Sequence, residues 1–513
     1  MFVLTAATVL LYCTYLRYAP IHLAHDEVIY ALTARSVALT GRDLNGEFLP
    51  ALFHIISRYG SYYVTPVVIY VTAALLKFLP FTEAIFRMPS ALIGVANVVL
   101  TYLVAGRVFK RESIAFSAGA MLVLTPAHFI HARFASDLIY PLPFALAWLL
   151  CLVIFIEEDR PWILFTGTSL LSTGMFSYLA SVGTMPLFAA LTAVALALYR
   201  KPARAYVFAA AGYGWPFAAL LVWFMTHPAQ YAEIIRLYPV YESTGVNPVR
   251  AFLRTLGYFT TSVRINTYYE FFNPSFMFFS GDSSILSSTR QAGVFLFPLG
   301  VLIPLGAYRI VRDRRVPIRY LLLAGFLLAP IPAALLLEVT IHRALLMLPF
   351  GVLVAACGLE WLLLQQQKRW RAAGLALLLF LPLQFMPFYI DYMGAYRVRS
   401  SPWFERDMAG TFERVMARAP AGQSTPIYLC ENIRWIDSYW NLHLIKSGRE
   451  DLLPRTIYVQ PPRLDAPAMA SGTLIVSKAG DPVVHKFIDS GSLHPLATIA
   501  EPDGEPSFLI SER

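Results

Sequence analysis

Runs of about 18 to 22 apolar residues recur through the first three quarters of the chain, the length a helix needs to cross a hydrocarbon core of about 30 Å. In lipid, backbone N–H and C=O groups must be satisfied within the segment, so such runs are read as membrane-spanning helices. Of the 513 residues, 57% are hydrophobic and only 14% charged, an apolar load that a soluble domain would have to expose to water. The apolar runs stop near Tyr389, and the remainder mixes Arg, Asp, Glu and Pro as an ordinary globular domain does. The sequence therefore predicts a transmembrane domain over 1–390 and a second domain over 391–513.

A formal charge of +9 raises nucleic-acid binding as an idea, but the basic residues sit in short clusters between apolar runs, where membrane topology puts them. No nucleic-acid partner is expected on that ground. Of four cysteines, Cys13, Cys151 and Cys357 fall inside apolar runs, which leaves no disulfide framework. The first 16 residues are apolar from the start and lack a basic leading region and a cleavage site, so an uncleaved first span fits better than a signal peptide.

Candidate spans run 1–18, 86–105, 113–130, 138–156, 162–180, 183–199, 205–225, 291–309, 318–337, 343–364 and 372–389. The segment 62–79 is also apolar, and whether it spans decides the topology. If it does not, Arg107, Lys110 and Arg111, then Arg200, Lys201 and Arg204, then Arg309, Arg312, Arg314 and Arg315, then Lys368, Arg369 and Arg371 fall on one side. The positive-inside rule selects that arrangement, giving about eleven spans, a cytoplasmic N-terminus and an external C-terminus. Two long external loops follow, 19–85 and 226–290, with 62–79 as an interfacial or re-entrant helix in the first. The tail mixes a helix over 404–417 with short β-rich runs at 427–430, 456–459 and 473–477, which predicts a small extracytoplasmic α/β domain.

Acids at the outer boundary carry the chemical reading. Asp26 and Glu27 follow the first span and open a helical pattern, where capping and the helix dipole also account for them. Asp137 lies where the third span gives way to the fourth, with a cap or an ion pair to Arg133 as the bland alternative. Under the predicted topology Asp26 and Asp137 emerge on one face, and two independent acids there make a site more credible than either alone. Arg58, Arg264 and His342-Arg343 reach the same face, and the planar guanidinium of Arg343 suits a phosphate, as it also suits lipid headgroups. In the second loop, Tyr269, Asn273 and Asp282 belong to aromatic and turn-forming stretches that fit either an interfacial belt or a lid over a sugar. No P-loop, dinucleotide glycine pattern, serine elbow or His/Cys metal cluster is visible, and no metal or other cofactor is expected.

Asp26-Glu27, Tyr30 to Arg35, Arg87-Met-Pro-Ser-Ala-Leu92, the Pro126 to Arg133 region, Phe272-Asn-Pro, Ser280-Gly-Asp282 and His342-Arg343, in that order, carry a family likeness. The chain resembles the membrane glycosyltransferases of the protein O-mannosyltransferase, lipid A aminoarabinose transferase and rhizobial lipid A galacturonosyltransferase family, which have the so-called C-type fold. The resemblance implies an inverting transfer at the outer face of the cell membrane, from a polyprenyl-phosphate sugar to a hydroxyl of a lipid, glycan or protein. It makes Asp26 the general base that takes the acceptor proton, and puts the donor phosphate among fixed cations such as Arg343. Some relatives carry a lysine beside prolines late in the first loop, whereas this chain reads Ser61-Tyr62-Tyr63-Val64-Thr65-Pro66, so Tyr62 and Tyr63 are expected to share the phosphate with Arg58, His342 or Arg343. A lipid-linked glycan flippase would line a path with charges deep inside its spans, while here the charges sit at span ends. A catalytically silent assembly protein is the remaining alternative.

Overall fold

The computed structural model describes residues 1–237, 257–313, 316–420, 422 and 424–513. Segment 238–256 of the second long loop and Arg314 and Arg315 of the third basic cluster lie outside the described residues.

Helix α1 (Phe2–Cys13) is shorter than the apolar run that encodes it, because the backbone turns extended at Thr14. The fully buried Arg133 holds this end: its guanidinium donates to the carbonyls of Tyr12 at 2.9 Å, Thr14 at 2.8 Å and Tyr15 at 3.1 Å, with Leu11 and Ala19 slightly farther. Arginine thus satisfies carbonyls that the helix end leaves without partners. Helix α2 (His25–Thr40) ends at Gly41, whose φ of +70° makes the left-handed turn that few residues other than glycine adopt readily. Two antiparallel strands, β1 (Phe53–Ser57) and β2 (Gly60–Val64), then lead into α3 (Pro66–Leu76). The 11 residues of α3 cover about 16 Å, roughly half of a hydrocarbon core.

Among the described residues six helices are long and apolar enough to cross a membrane: Glu83–Phe109 (α4), Asp137–Glu158, Ser181–Leu198, Ala203–Thr226, Ile318–Leu335 and Lys368–Met393. Each covers one of the expected spans. The expected span at 113–130 is not straight: α5 (Glu112–Val123) and α6 (Pro126–Ala132) meet at 65°. Thr125 is extended there, as the residue before a proline tends to be, and Pro126 has no N–H to continue the ladder. The other four expected spans fall on helices of 12 to 17 residues, Phe2–Cys13, Pro161–Thr173, Phe297–Arg312 and Met347–Leu363, so among the described residues length and composition alone support six crossings, or seven with the bent pair as one span, of the eleven expected. Phe297–Arg312 and Met347–Leu363 pack almost backbone to backbone: a Cβ on Gly306 would lie 1.9 Å from the Val354 carbonyl oxygen.

Beyond Lys368–Met393 a five-stranded sheet forms in the order β4-β3-β5-β7-β6, with β3 (Ile427–Cys430), β4 (Thr456–Val459), β5 (Leu474–Lys478), β6 (His494–Ala500) and β7 (Pro506–Glu512). β3 runs parallel to β4 and β5, and β7 antiparallel to β5 and β6. The helix expected at 404–417 forms as Met408–Arg418, capped by Asp407. This sheet unit shares an apolar core with the membrane part: Leu23, Val28, Leu32 and Phe86 pack in one cluster with Phe412, Ile427 and Trp440. Tyr439 donates to the Leu23 carbonyl at 2.7 Å, Lys446 pairs with Glu83, and the Tyr59 hydroxyl donates to the Ile433 carbonyl at 2.8 Å.

Among the described residues the most buried ion pair is that of Glu27 with Arg87, 2.8 Å long, with side chains 0% and 1% exposed. Glu27 also accepts the N–H groups of Ala24 at 2.9 Å and Ala135 at 3.0 Å, while Arg87 donates to the Leu16, Pro20 and His22 carbonyls. One carboxylate thereby joins the start of α2, the start of α4 and the chain leading to Asp137. Glu27→Gln should cost about 3–5 kcal/mol, because the Arg87 charge would stay buried without a counterion. A purified variant is expected to show a lowered thermal midpoint in detergent, and an unchanged midpoint would deny the pair this role.

Candidate active site

A cavity of about 500 Å3 lies between α2, β2, the turns around Asp137 and His342, and the sheet unit. Asp26, Asp137, Tyr62, Tyr63, His342 and Arg343 all line it. Glu27, Arg58, Arg133, Tyr269, Asn273 and Asp282 do not, and each has an identifiable position elsewhere.

Asp26 and Glu27 are successive residues in the first turn of α2, so their side chains leave the helix about 100° apart. Glu27 turns inward to Arg87, while the Asp26 side chain is 50% exposed and takes its ion-pair contact from His25, with Nδ1 3.2 Å from Oδ1. The other ring nitrogen, Nε2, lies 3.1 Å from the Tyr62 hydroxyl. The His25 ring stacks on Trp435 of the sheet unit with centroids 3.8 Å apart. His25 is thus held on both edges and one face beside the acid.

Asp137 begins a single 3-10 turn, Asp137–Ile139, where the Glu27–Ala135 contact fixes the approaching chain. It is buried, accepts from the Thr65 hydroxyl at 3.2 Å and hydrogen-bonds Tyr30. The alternative of an ion pair with Arg133 does not form, since Arg133 is committed to the carbonyls after α1.

His342 and Arg343 sit on another 3-10 turn, Ile341–Arg343. Asp282 builds that turn from behind: its buried carboxylate accepts the Ile341 N–H at 2.5 Å and the Ser284 N–H at 2.8 Å, and burial pushes its pKa up. Burial first, then the neighbouring His131 and Arg343, drive the His342 pKa down to about 3, so this imidazole is neutral. Arg343 is paired with Glu338 and supplies the cavity wall with its Arg or Lys charge among the described residues. Tyr178 lines the same wall.

Arg58 caps the β1–β2 hairpin instead, 3.1 Å from Glu431 and over the Tyr458 ring. Tyr63 faces both ways, lining the cavity while its hydroxyl donates to Glu233 at 2.9 Å. Tyr269 is exposed on the helix Tyr258–Glu270, and Asn273 closes a local turn by accepting the Ser275 N–H at 3.0 Å. The sequence reading assigned no role to several lining residues: His25 and Tyr30, which stand inside the Asp26 motif, and His131, Tyr178, Trp403, Glu405 and Trp435. For the last three no sequence signal existed, because tertiary docking alone brings the tail to the cavity.

Chemically the cavity joins the carboxylates of Asp26, Asp137 and Glu405, the imidazoles of His25, His131 and His342, several phenol hydroxyls and the Arg343 guanidinium beside two indole rings. Asp282→Asn should lower turnover through the displaced His342-Arg343 turn while leaving cavity acids in place; rescue by Asp282→Glu but not by alanine would mark a positioning carboxylate, and unchanged kinetics in all three would free the turn of it.

No family model matches the sequence, and no curated protein sequence does. Solved structures do. ArnT from Cupriavidus metallidurans bound to undecaprenyl phosphate superposes with a TM-score of 0.59 at 12% identity, covering 99% of this chain and 97% of that one. Its apo state gives the same values, 0.59 and 12% over 99% and 97%. An oligosaccharyltransferase of Archaeoglobus fulgidus tethered with an acceptor peptide gives 0.48 at 12% identity, over 99% of this chain and 73% of that one. From end to end the chain has the fold of ArnT, the C-type fold of polytopic membrane glycosyltransferases.

Proposed function

We propose that this protein is an inverting glycosyltransferase that moves a sugar from a polyprenyl-phosphate carrier to an acceptor hydroxyl, at the outer face of the cytoplasmic membrane. The observation that carries the reading is the single cavity in which Asp26 and Asp137 stand with Arg343, roofed by Trp435. The undecaprenyl phosphate bound by ArnT, a structural neighbour over the full chain, is the kind of carrier the reading calls for. The division into a membrane domain over 1–390 and an external domain over 391–513, with basic loops inside, belongs to the same proposal.

In the proposed step, the acceptor oxygen attacks the anomeric carbon from the face opposite the phosphate. Asp26 takes the hydroxyl proton as the new C–O bond forms, and the old C–O bond breaks with its electron pair leaving on the lipid phosphate. A free alcohol is a poor nucleophile, so a base placed at its proton is where the enzyme gains most. The half-exposed Asp26 suits that exchange better than the buried Asp137, which has Thr65 and Tyr30 around it. Charge developing on the departing phosphate is met by Arg343, once its fork of donors leaves Glu338 for the phosphate oxygens.

Asp26→Asn keeps the size of the side chain and should leave the thermal midpoint intact, while transfer from a purified polyprenyl-phosphate sugar falls by about 10²- to 10⁴-fold. Near-normal turnover would remove Asp26 from the mechanism and direct attention to Asp137. Wild-type transfer should also persist in a metal chelator, since among the described residues no three His, Cys, Asp or Glu side chains gather as a metal set.

Arg343→Ala is expected to lower kcat as well as the apparent donor affinity, because the contact strengthens as the phosphate departs. A change in KM alone would assign Arg343 to ground-state headgroup binding.

A further inference from the structure

A second cavity, of about 470 Å3, opens in the sheet unit. Its position follows from the strand order. β3 and β5 are parallel neighbours, yet β3 continues through Ile436–Ser447 to β4 on one side, and β5 through Pro482–Asp489 to β6 on the other. Where connections diverge in this way, a crevice opens beyond the carboxyl ends of the two strands, and open α/β sheets bind ligands there. Asn432 and Arg434, just after β3, and Lys478 to Asp481, at the end of β5, form its wall.

The wall is chemically selective. Arg406, Arg434 and Lys478 bring three cations, none paired with a carboxylate among the described residues. Asp481 forms no ion pair with them among the described residues; its Oδ1 accepts the Val483 and Val484 N–H groups, at 2.9 and 3.2 Å. Its Oδ2 accepts from Asn432 Nδ2 at 2.6 Å. That bond fixes the Asn432 amide and leaves its Oδ1, buried, without a partner among the described residues. An amide oxygen in need of a donor takes a hydroxyl, and guanidinium and ammonium groups take anionic oxygens. Glu405 lines this cavity and the central one alike, so the two adjoin. Its carboxyl is raised by burial and drawn back by His25, Arg434 and Lys478, charges from both cavities.

We propose that this pocket is an acceptor subsite for a saccharide bearing an anionic group, phosphate or carboxylate, whose reacting hydroxyl reaches into the central cavity. The inference rests on the transferase reading above and narrows its acceptor. The anion lies among Arg406, Arg434 and Lys478, a sugar hydroxyl donates to Asn432 Oδ1, and Glu405 at the junction keeps the negative group on its own side. Trp403, half-exposed in the wall of the central cavity, offers an indole to the next sugar unit.

Binding of glucose 6-phosphate, glucuronate and glucose to the full-length protein in nanodiscs tests this without requiring turnover. The wild type should bind at least one of the anionic sugars and discriminate against glucose, the two anionic arms separating phosphate from carboxylate. Because Arg434 and Lys478 are solvent-exposed, the Arg434→Gln/Lys478→Gln double variant should stay folded, with the anionic sugar bound at least about tenfold more weakly. Equal affinity for all three sugars, no anionic binding by the wild type, or binding unmoved by the double variant would overturn the subsite. Failure of the wild type to transfer despite normal anion binding would instead overturn the transferase reading.

Discussion

Much of the site depends on the buried Glu27–Arg87 pair. Removing two charges from water is costly, and the cost is offset only where every donor and acceptor finds a partner. Here Glu27 takes the Ala24 and Ala135 N–H groups besides the guanidinium, and Arg87 takes three carbonyls from the chain after α1. The satisfied network ties together the two segments that carry the cavity acids. Two adjacent acids on α2 thus divide the work: Glu27 anchors the helix, and Asp26, turned about 100° around it, is free to face the cavity.

The sheet unit belongs to the site as much as the membrane helices do. Trp435 stacks on the histidine that holds Asp26, Glu405 separates the two cavities, and the Leu23–Trp440 cluster makes the junction an apolar core rather than a loose tether. Fixed charges act more strongly on a bound group the less water a cavity keeps, and the docked sheet unit covers this cavity on one side. The Arg343–Glu338 pair compensates the guanidinium charge in the cavity wall.

Much of this was readable in the sequence wherever a single physical rule applied locally. Apolar run length located the six long helices, and the tail's β-rich runs coincide with β3, β4 and β5 to within a residue. The β6–β7 hairpin carried a signal that went unused, Asp503-Gly504 between apolar runs, with Gly504 at a φ of +90°. The break before Pro126 was likewise written in the residue pair, but an apolar run on both sides masks it. What stayed hidden was division of labour among like residues. Nothing local separates Glu27 from Asp26, or Arg133, spent on carbonyls, from Arg343, turned to the cavity. Contacts such as His25–Trp435 join residues some 400 positions apart, where no spacing rule reaches.

The central claim concerns what happens at the anomeric carbon, and the anomeric proton reports it. The purified protein, supplied with a polyprenyl-phosphate sugar of known configuration and an anionic saccharide acceptor, can be followed by proton NMR as the glycosidic bond forms. The account predicts loss of the lipid-linked signal in step with a product of the opposite anomeric configuration, as a single displacement assisted by Asp26 demands. A product of retained configuration, or a donor that persists unchanged beside folded protein and acceptor, would contradict it.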